Sequence, residues 1–279
     1  MQTVPVLCLS DAREDTARSI KERSITTVSL NADFFNEEVI EYCEALESIT
    51  TLILSNKVLD RFSVIRPNHR YETTECLFAV HRVHIFKGRT EFEFAHSLPV
   101  FPNLRELHLH KYNSFDVDLK TLSCLPNLRH FDFRGVEPAD DITLFEHDSE
   151  DGYEETLHDL PPGGLQKLER MAGMSIVLFN QPGIATFVKN LPMLKHFKIK
   201  NLQLCCDESA GQILSLESLE LLGLRGNKWD EFMIFLRCIP NLRALEFASC
   251  RTHGLDLRLH SLATTCPKLT VIKMTNIRT

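Results

Sequence analysis

Five of the chain's twelve histidines fall in four short stretches of alternating polar and apolar residues: RVHIF from Arg82 to Phe86, ELHLH from Glu106 to His110, HFDFR from His130 to Arg134 and HFKIK from His196 to Lys200. Imidazole, with an ordinary pKa near ~6.5, is the side chain that can change charge, move a proton or ligate a metal near neutral pH. Alternation puts Arg82, His84, Phe86, Glu106, His108, His110, His130, Asp132, Arg134, His196, Lys198 and Lys200 on one side of their strands, with four Lys or Arg against two acids. A basic, histidine-rich stripe attracts an acidic peptide or protein, and its charge grows as pH falls. The expected binding residues are Arg82, His84, Phe86, His108, His110, His130, Arg134, His196, Lys198 and Lys200. Phe86 is the expected hot spot and Arg134 its charged companion. The plainer reading of the same residues is an ordinary solvated sheet face.

Other chemistries fit less well. His84, His108, His110 and His130 could approach one another across neighbouring strands, but no carboxylate or cysteine is placed to complete a metal site, so no metal is expected. No G-x-S-x-G, H-E-x-x-H, P-loop or G-x-G-x-x-G is present, so neither catalytic residues nor a cofactor are expected. A formal net charge of −7 and a stripe without dense Arg and aromatic interleaving argue against nucleic acid. The nine cysteines include no C-x-x-C pair, and Cys124, Cys238 and Cys266 each precede a proline that opens a strand pattern. They read as small core residues in a reducing compartment.

These stretches belong to a repeat. Apolar residues recur at positions 0, 3 and 5 in Leu104, Leu107, Leu109; Leu128, Phe131, Phe133; Leu194, Phe197, Ile199; Leu219, Leu222, Leu224; Leu242, Leu245, Phe247; and Leu269, Ile272, Met274. Weaker copies begin at Val4, Ile25, Ile49 and Val80, and between 165 and 179 two registers compete, Leu168 with Met171 and Met174 with Val177 and Phe179. Positions 3 and 5 share one strand face and point into a core, while the remaining ~20 residues of each unit carry the chain back. Helical spacing is expected in the returns 36–47, 182–190 and 230–238. A doubly wound sheet is excluded, because strands buried on both faces would be continuous apolar runs rather than alternating ones.

The unit resembles the leucine-rich repeat, with its L-x-x-L-x-L spacing and a period of 20–29 residues. Variable steps, helical returns and the Cys-Pro-x-Leu phrase at 266–269 make it more similar to ribonuclease-inhibitor-like and F-box-associated arrays than to extracellular ones. The asparagine or cysteine of that family's position 8 appears as Asn227 and Cys250. The resemblance implies an α/β horseshoe in one domain over 1–279, with a parallel concave sheet of about 10–11 short strands and helical or irregular convex returns. It also implies a non-enzymatic interaction scaffold, of the kind that selects substrates for an F-box-type ubiquitin ligase. The alternatives it leaves open are a regulator of a small GTPase and a structural repeat domain without a dedicated ligand.

Residues 137–164 interrupt the period with ten acids and no Lys or Arg, closing on Pro161, Pro162, Gly163 and Gly164. This stretch reads as a solvated acidic insertion, or as a loop that masks the stripe. The first unit is expected to begin at Val4, which leaves no room ahead of it for an F-box. The open ends of the array call for a further chain segment or subunit to cover them. Apolar stretches such as 174–180 fall far short of a membrane span, and Asp11, Glu14 and Asp15 stand where a signal peptide would be apolar. An intracellular protein, cytoplasmic or nuclear, is expected.

Overall fold

The computed structural model describes residues 6–9, 25–30, 49–55, 79–86, 98, 101–110, 119–134, 165–175, 188, 190–200, 212–222, 229–248 and 259–275. The chain divides into two compact units, residues 1–134 and 135–279. Unit 1 contains β1 (Val6–Leu9), β2 (Thr27–Leu30), β3 (Thr51–Ser55), β4 (Arg82–Phe86), β5 (Glu106–His110) and β6 (His130–Arg134). Unit 2 contains β7 (Arg170–Ser175), β8 (His196–Lys200), β9 (Ser218–Leu222), β10 (Ala244–Ala248) and β11 (Val271–Thr275). Within each unit every strand pairs in parallel with its neighbour in sequence. Each unit is therefore a parallel-strand solenoid, and sequential order of this kind is the opposite of a doubly wound sheet.

A Pro-x-Leu phrase precedes five of the strands, and it forms a β-turn. Leu104, Leu128, Leu168, Leu194, Leu242 and Leu269 each donate their N–H to the carbonyl three residues earlier, at 3.0–3.2 Å. Proline occupies the second turn position in five of these, Pro102, Pro126, Pro192, Pro240 and Pro267, where its fixed φ suits the turn. The residue opening each turn is a further core position: Phe101, Leu125, Leu165, Leu191, Ile239 and Cys266 are 0–3% exposed. One position after the first apolar residue of eight units, a single carbonyl accepts two N–H groups from the next coil. Thr26, Thr50, His81 and Arg105 do so in unit 1, and Glu169, Lys195, Glu217 and Arg243 in unit 2, at 2.8–3.1 Å. Both lone pairs of that oxygen are used, which locks each coil to the next in one register.

Burial follows the repeat. Val28, Leu52, Val83, Leu107 and Phe131 at position 3 are 0–1% exposed, as are Leu54, Ile85 and Leu109 at position 5. Removing such a side chain from water contributes roughly 1.5–3 kcal/mol, repeated at every coil. In β11 the equivalent Ile272 and Met274 are 41% and 40% exposed. A side chain in this array is covered by the coils on both sides, and among the described residues β11 has a neighbour on one side only.

One register differs from the sequence reading, and one that the sequence left open is decided. The unit taken as Leu219, Leu222, Leu224 is Leu216, Leu219, Leu221: Leu219 pairs with Phe197 and Leu245, Leu221 with Ile199 and Phe247, and all three leucines are 0% exposed. Leu221 thus belongs to the core and not to the outward face. The run of leucines satisfied the 0, 3, 5 pattern twice, and the buried Ile213 three residues ahead of Leu216 selects the earlier register. Between 165 and 179 the Leu168, Met171 register holds, with Met171 opposite Phe197. One extra residue then enters the strand, so that Met174 stands opposite Ile199, and Gly173 takes φ 85° at this bulge. Positive φ carries no Cβ penalty at glycine.

Helices are few among the described residues. They are α1 (Trp229–Arg237), α2 (Leu259–Thr265), which packs against it, and a 3₁₀ segment at Leu119–Cys124. The expected return helix over 230–238 is α1, whose Phe232, Phe235 and Leu236 are buried and whose Phe232 meets Phe247 edge to face at 5.6 Å. The helix expected over 36–47, most of that over 182–190, the acidic stretch 137–164, and Asn227 and Cys250 lie outside the described residues. No described helix is long and apolar enough to cross a membrane. Of the three cysteines placed before prolines, Cys266 is the core residue expected, its thiol facing the Leu236 carbonyl and pushed up to about 11 by burial. Cys124 and Cys238 stand one position earlier in the turn, so Cys124 is exposed and Cys238 only partly covered.

Candidate functional site

In-register parallel strands place the same position of successive coils side by side, ~4.8 Å apart. On the outward face of unit 1 this brings Arg82, Glu106 and His130 into one row, His84, His108 and Asp132 into the next, and Phe86, His110 and Arg134 into the third. Six of the expected binding residues, Arg82, His84, Phe86, His108, His110 and His130, therefore form one patch. Arg134 sits in the third row on β6, and its side chain lies outside the described residues.

The rings touch. His84 stacks on His108 with centroids 4.4 Å apart and planes within 8°, and Phe86 stacks on His110 at 4.2 Å and 6°. His84 reaches diagonally to His110, Nδ1 to Nε2, at 3.1 Å. Phe86 is 39% exposed, an aromatic side chain held flat at the surface by its neighbour.

The described Lys and Arg side chains of the stripe are not bare. The Arg82 Nε donates to Glu106 Oε2 at 2.5 Å. This bond holds the Glu106 carboxyl below its ordinary range and Arg82 above its own. His108 lies between two carboxylates, Nδ1 3.4 Å from Asp132 Oδ2 and Nε2 3.7 Å from Glu106 Oε2, and His130 Nδ1 is 4.0 Å from Glu106 Oε1. The described fixed charges of this patch are one cation, Arg82, and two carboxylates, Glu106 and Asp132. What distinguishes it is a cluster of four imidazoles, His84, His108, His110 and His130.

In unit 2, His196 is exposed and Lys198 forms an ion pair with Glu220 at 2.5 Å, while the Lys200 side chain lies outside the described residues. Further along the same row Lys273 faces Glu246 at 3.6 Å. The outward face of unit 2 carries carboxylates beside the lysines. Glu220 and Glu246 share the outward face, and the wrong leucine register had placed Leu221 there instead of Ser218 and Glu220. Counting four core positions per unit, Ile213 included, would have found them.

Among the described residues no group of three or more His, Cys, Asp or Glu is placed to hold a metal ion. The stacking gives one reason: face-to-face rings such as His84 and His108 direct their nitrogens in parallel planes and do not converge on a common point. No protein-family model matches the chain, and no curated protein matches it in sequence.

Proposed function

We propose that this protein is a non-enzymatic interaction scaffold of the leucine-rich repeat kind, and that it binds an acidic protein or peptide through the outward sheet face of unit 1. The observation that carries the reading is the contiguous patch of Arg82, His84, Phe86, His108, His110 and His130, in which the surface ring of Phe86 is held against His110 in a cluster of four imidazoles. A rigid flat ring costs little entropy on binding, and imidazoles supply donors to carboxylates. The leucine-rich assignment is supported by the 0, 3, 5 pattern, the Pro-x-Leu turn and the period. Substrate selection for an F-box-type ubiquitin ligase is the finer role that the resemblance suggests.

The test is an affinity capture at pH 7.5, comparing wild type with an Arg82→Glu, Phe86→Ala variant. Both residues are exposed, so the variant is expected to keep its thermal stability within about 1 kcal/mol. Loss of captured partners is the expected result, and identical partner sets for the two proteins would reject this face.

A further inference from the structure

The contact between His84 and His110 differs from the other ring contacts of the patch. Their centroids are 5.4 Å apart and the facing nitrogens 3.1 Å apart, so the centroid distance is the nitrogen distance plus about one ring radius on each side. The nitrogens therefore point straight at each other, with planes 29° from parallel. Such a pair is an N–H···N hydrogen bond in which one ring donates and the other accepts. Two rings chelating a metal would instead both turn toward a third point, bringing their centres closer.

Proton counting gives this bond an instability. In the neutral pair one hydrogen lies between the rings, and the accepting ring carries its own hydrogen on its outer nitrogen. A first proton from solvent adds to the outer nitrogen of the donating ring, and the bond survives as a charge-assisted one. A second proton has one place left, the accepting nitrogen itself. Two N–H groups and two cations then face each other, and the bond must open.

The surroundings bear on both steps. His84 is stacked on His108 and has Arg82 and Phe86 on its own strand, with Ile53 beside it on β3. His110 is stacked under Phe86, has Glu106 and His108 on its own strand, and is flanked on β6 by His130, Asp132 and the position of Arg134. Glu106 is bonded to Arg82, and Asp132 faces His108.

We propose that His84 and His110 form a proton-opened anion site: neutral, the two rings close on each other, and doubly protonated they part and present two N–H donors to one carboxylate of an acidic peptide lying across β4 and β5. The two oxygens of a carboxylate can accept one bond from each ring, replacing the bond lost between the rings. Phe86 borders the opening and covers the peptide's aliphatic stem. The proposal rests on the outward face of unit 1 being a binding face, and adds to it a proton requirement and a pair of donors.

The test uses the full chain, an octaglutamate peptide and two pH values. Ring nitrogen NMR of His84 and His110 is expected to show two separated protonation steps, with the signature of the mutual hydrogen bond lost at the second. Calorimetry is expected to show octaglutamate binding about tenfold tighter at pH 5.5 than at 7.5 in wild type, and by less than about threefold in His84→Phe. That variant keeps a flat ring against His108 but has no nitrogen, and His110→Phe is expected to behave alike. Acetate at the same carboxylate concentration should fail to displace the peptide. Equal tightening in wild type and both variants, or titration of the two rings without coupling, would overturn the site. Displacement by acetate would overturn the peptide as its occupant. The partner capture at pH 7.5 is independent of the second proton, so failure of the anion site and failure of the scaffold reading are told apart.

Discussion

Glu106 is the residue on which most of the outward patch of unit 1 converges, since Arg82, His108 and His130 all face its carboxylate. Its folded-state pKa is depressed, chiefly by the Arg82 hydrogen bond. A depressed carboxyl contributes stability that is present above its unfolded pKa and lost as pH falls through the folded one. A double-mutant cycle on Arg82→Ala and Glu106→Ala should give a coupling of about 0.2–1 kcal/mol at pH 7, smaller at high salt and gone below the carboxylate range. Chemical denaturation across that pH range checks it, and a coupling that grows on acidification would contradict the assignment. The sequence shows that these side chains lie outward, because RVHIF and ELHLH alternate. It does not show that Arg82 would meet Glu106, because that depends on which residues of two separate coils stand opposite.

At the scale of the element, the bulge in β7 and the open side of β11 carry the sharpest expectations. Gly173→Ala puts a Cβ at φ 85° and should cost about 1–2 kcal/mol, read as a lowered denaturation midpoint. No loss of stability would mean that the strand runs without the bulge. Leu107→Ala, at a position 0% exposed, should cost about 2–5 kcal/mol. Ile272→Ala occupies the same repeat position but begins 41% exposed, and should cost well under half as much. Equal losses would show that β11 is covered in solution. The repeat positions of both residues were legible from spacing alone. Their different burial was not, because position within a repeat says which way a side chain points and nothing about what lies over it.

In the molecule as a whole, stability in a stacked array is a sum of coils and nearest-neighbour interfaces, so a local lesion should stay local. Hydrogen exchange on Leu107→Ala is expected to lose protection in β4, β5 and β6, while β9 and β10 in the other compact unit stay within twofold of wild type. Loss of protection throughout the chain would show one cooperative block. The sequence by itself determined the coil: residues at 0, 3 and 5, the proline turn and the alternation are local, and local spacing sets which side chains point inward. It left Leu216–Leu219–Leu221 ambiguous with Leu219–Leu222–Leu224, since a leucine-rich run satisfies two registers at once. Only the tertiary structure decided the charge of the outward face. That depends on cross-strand neighbours about 24 residues apart, which pair Arg82 with Glu106 and bring His84 against His110.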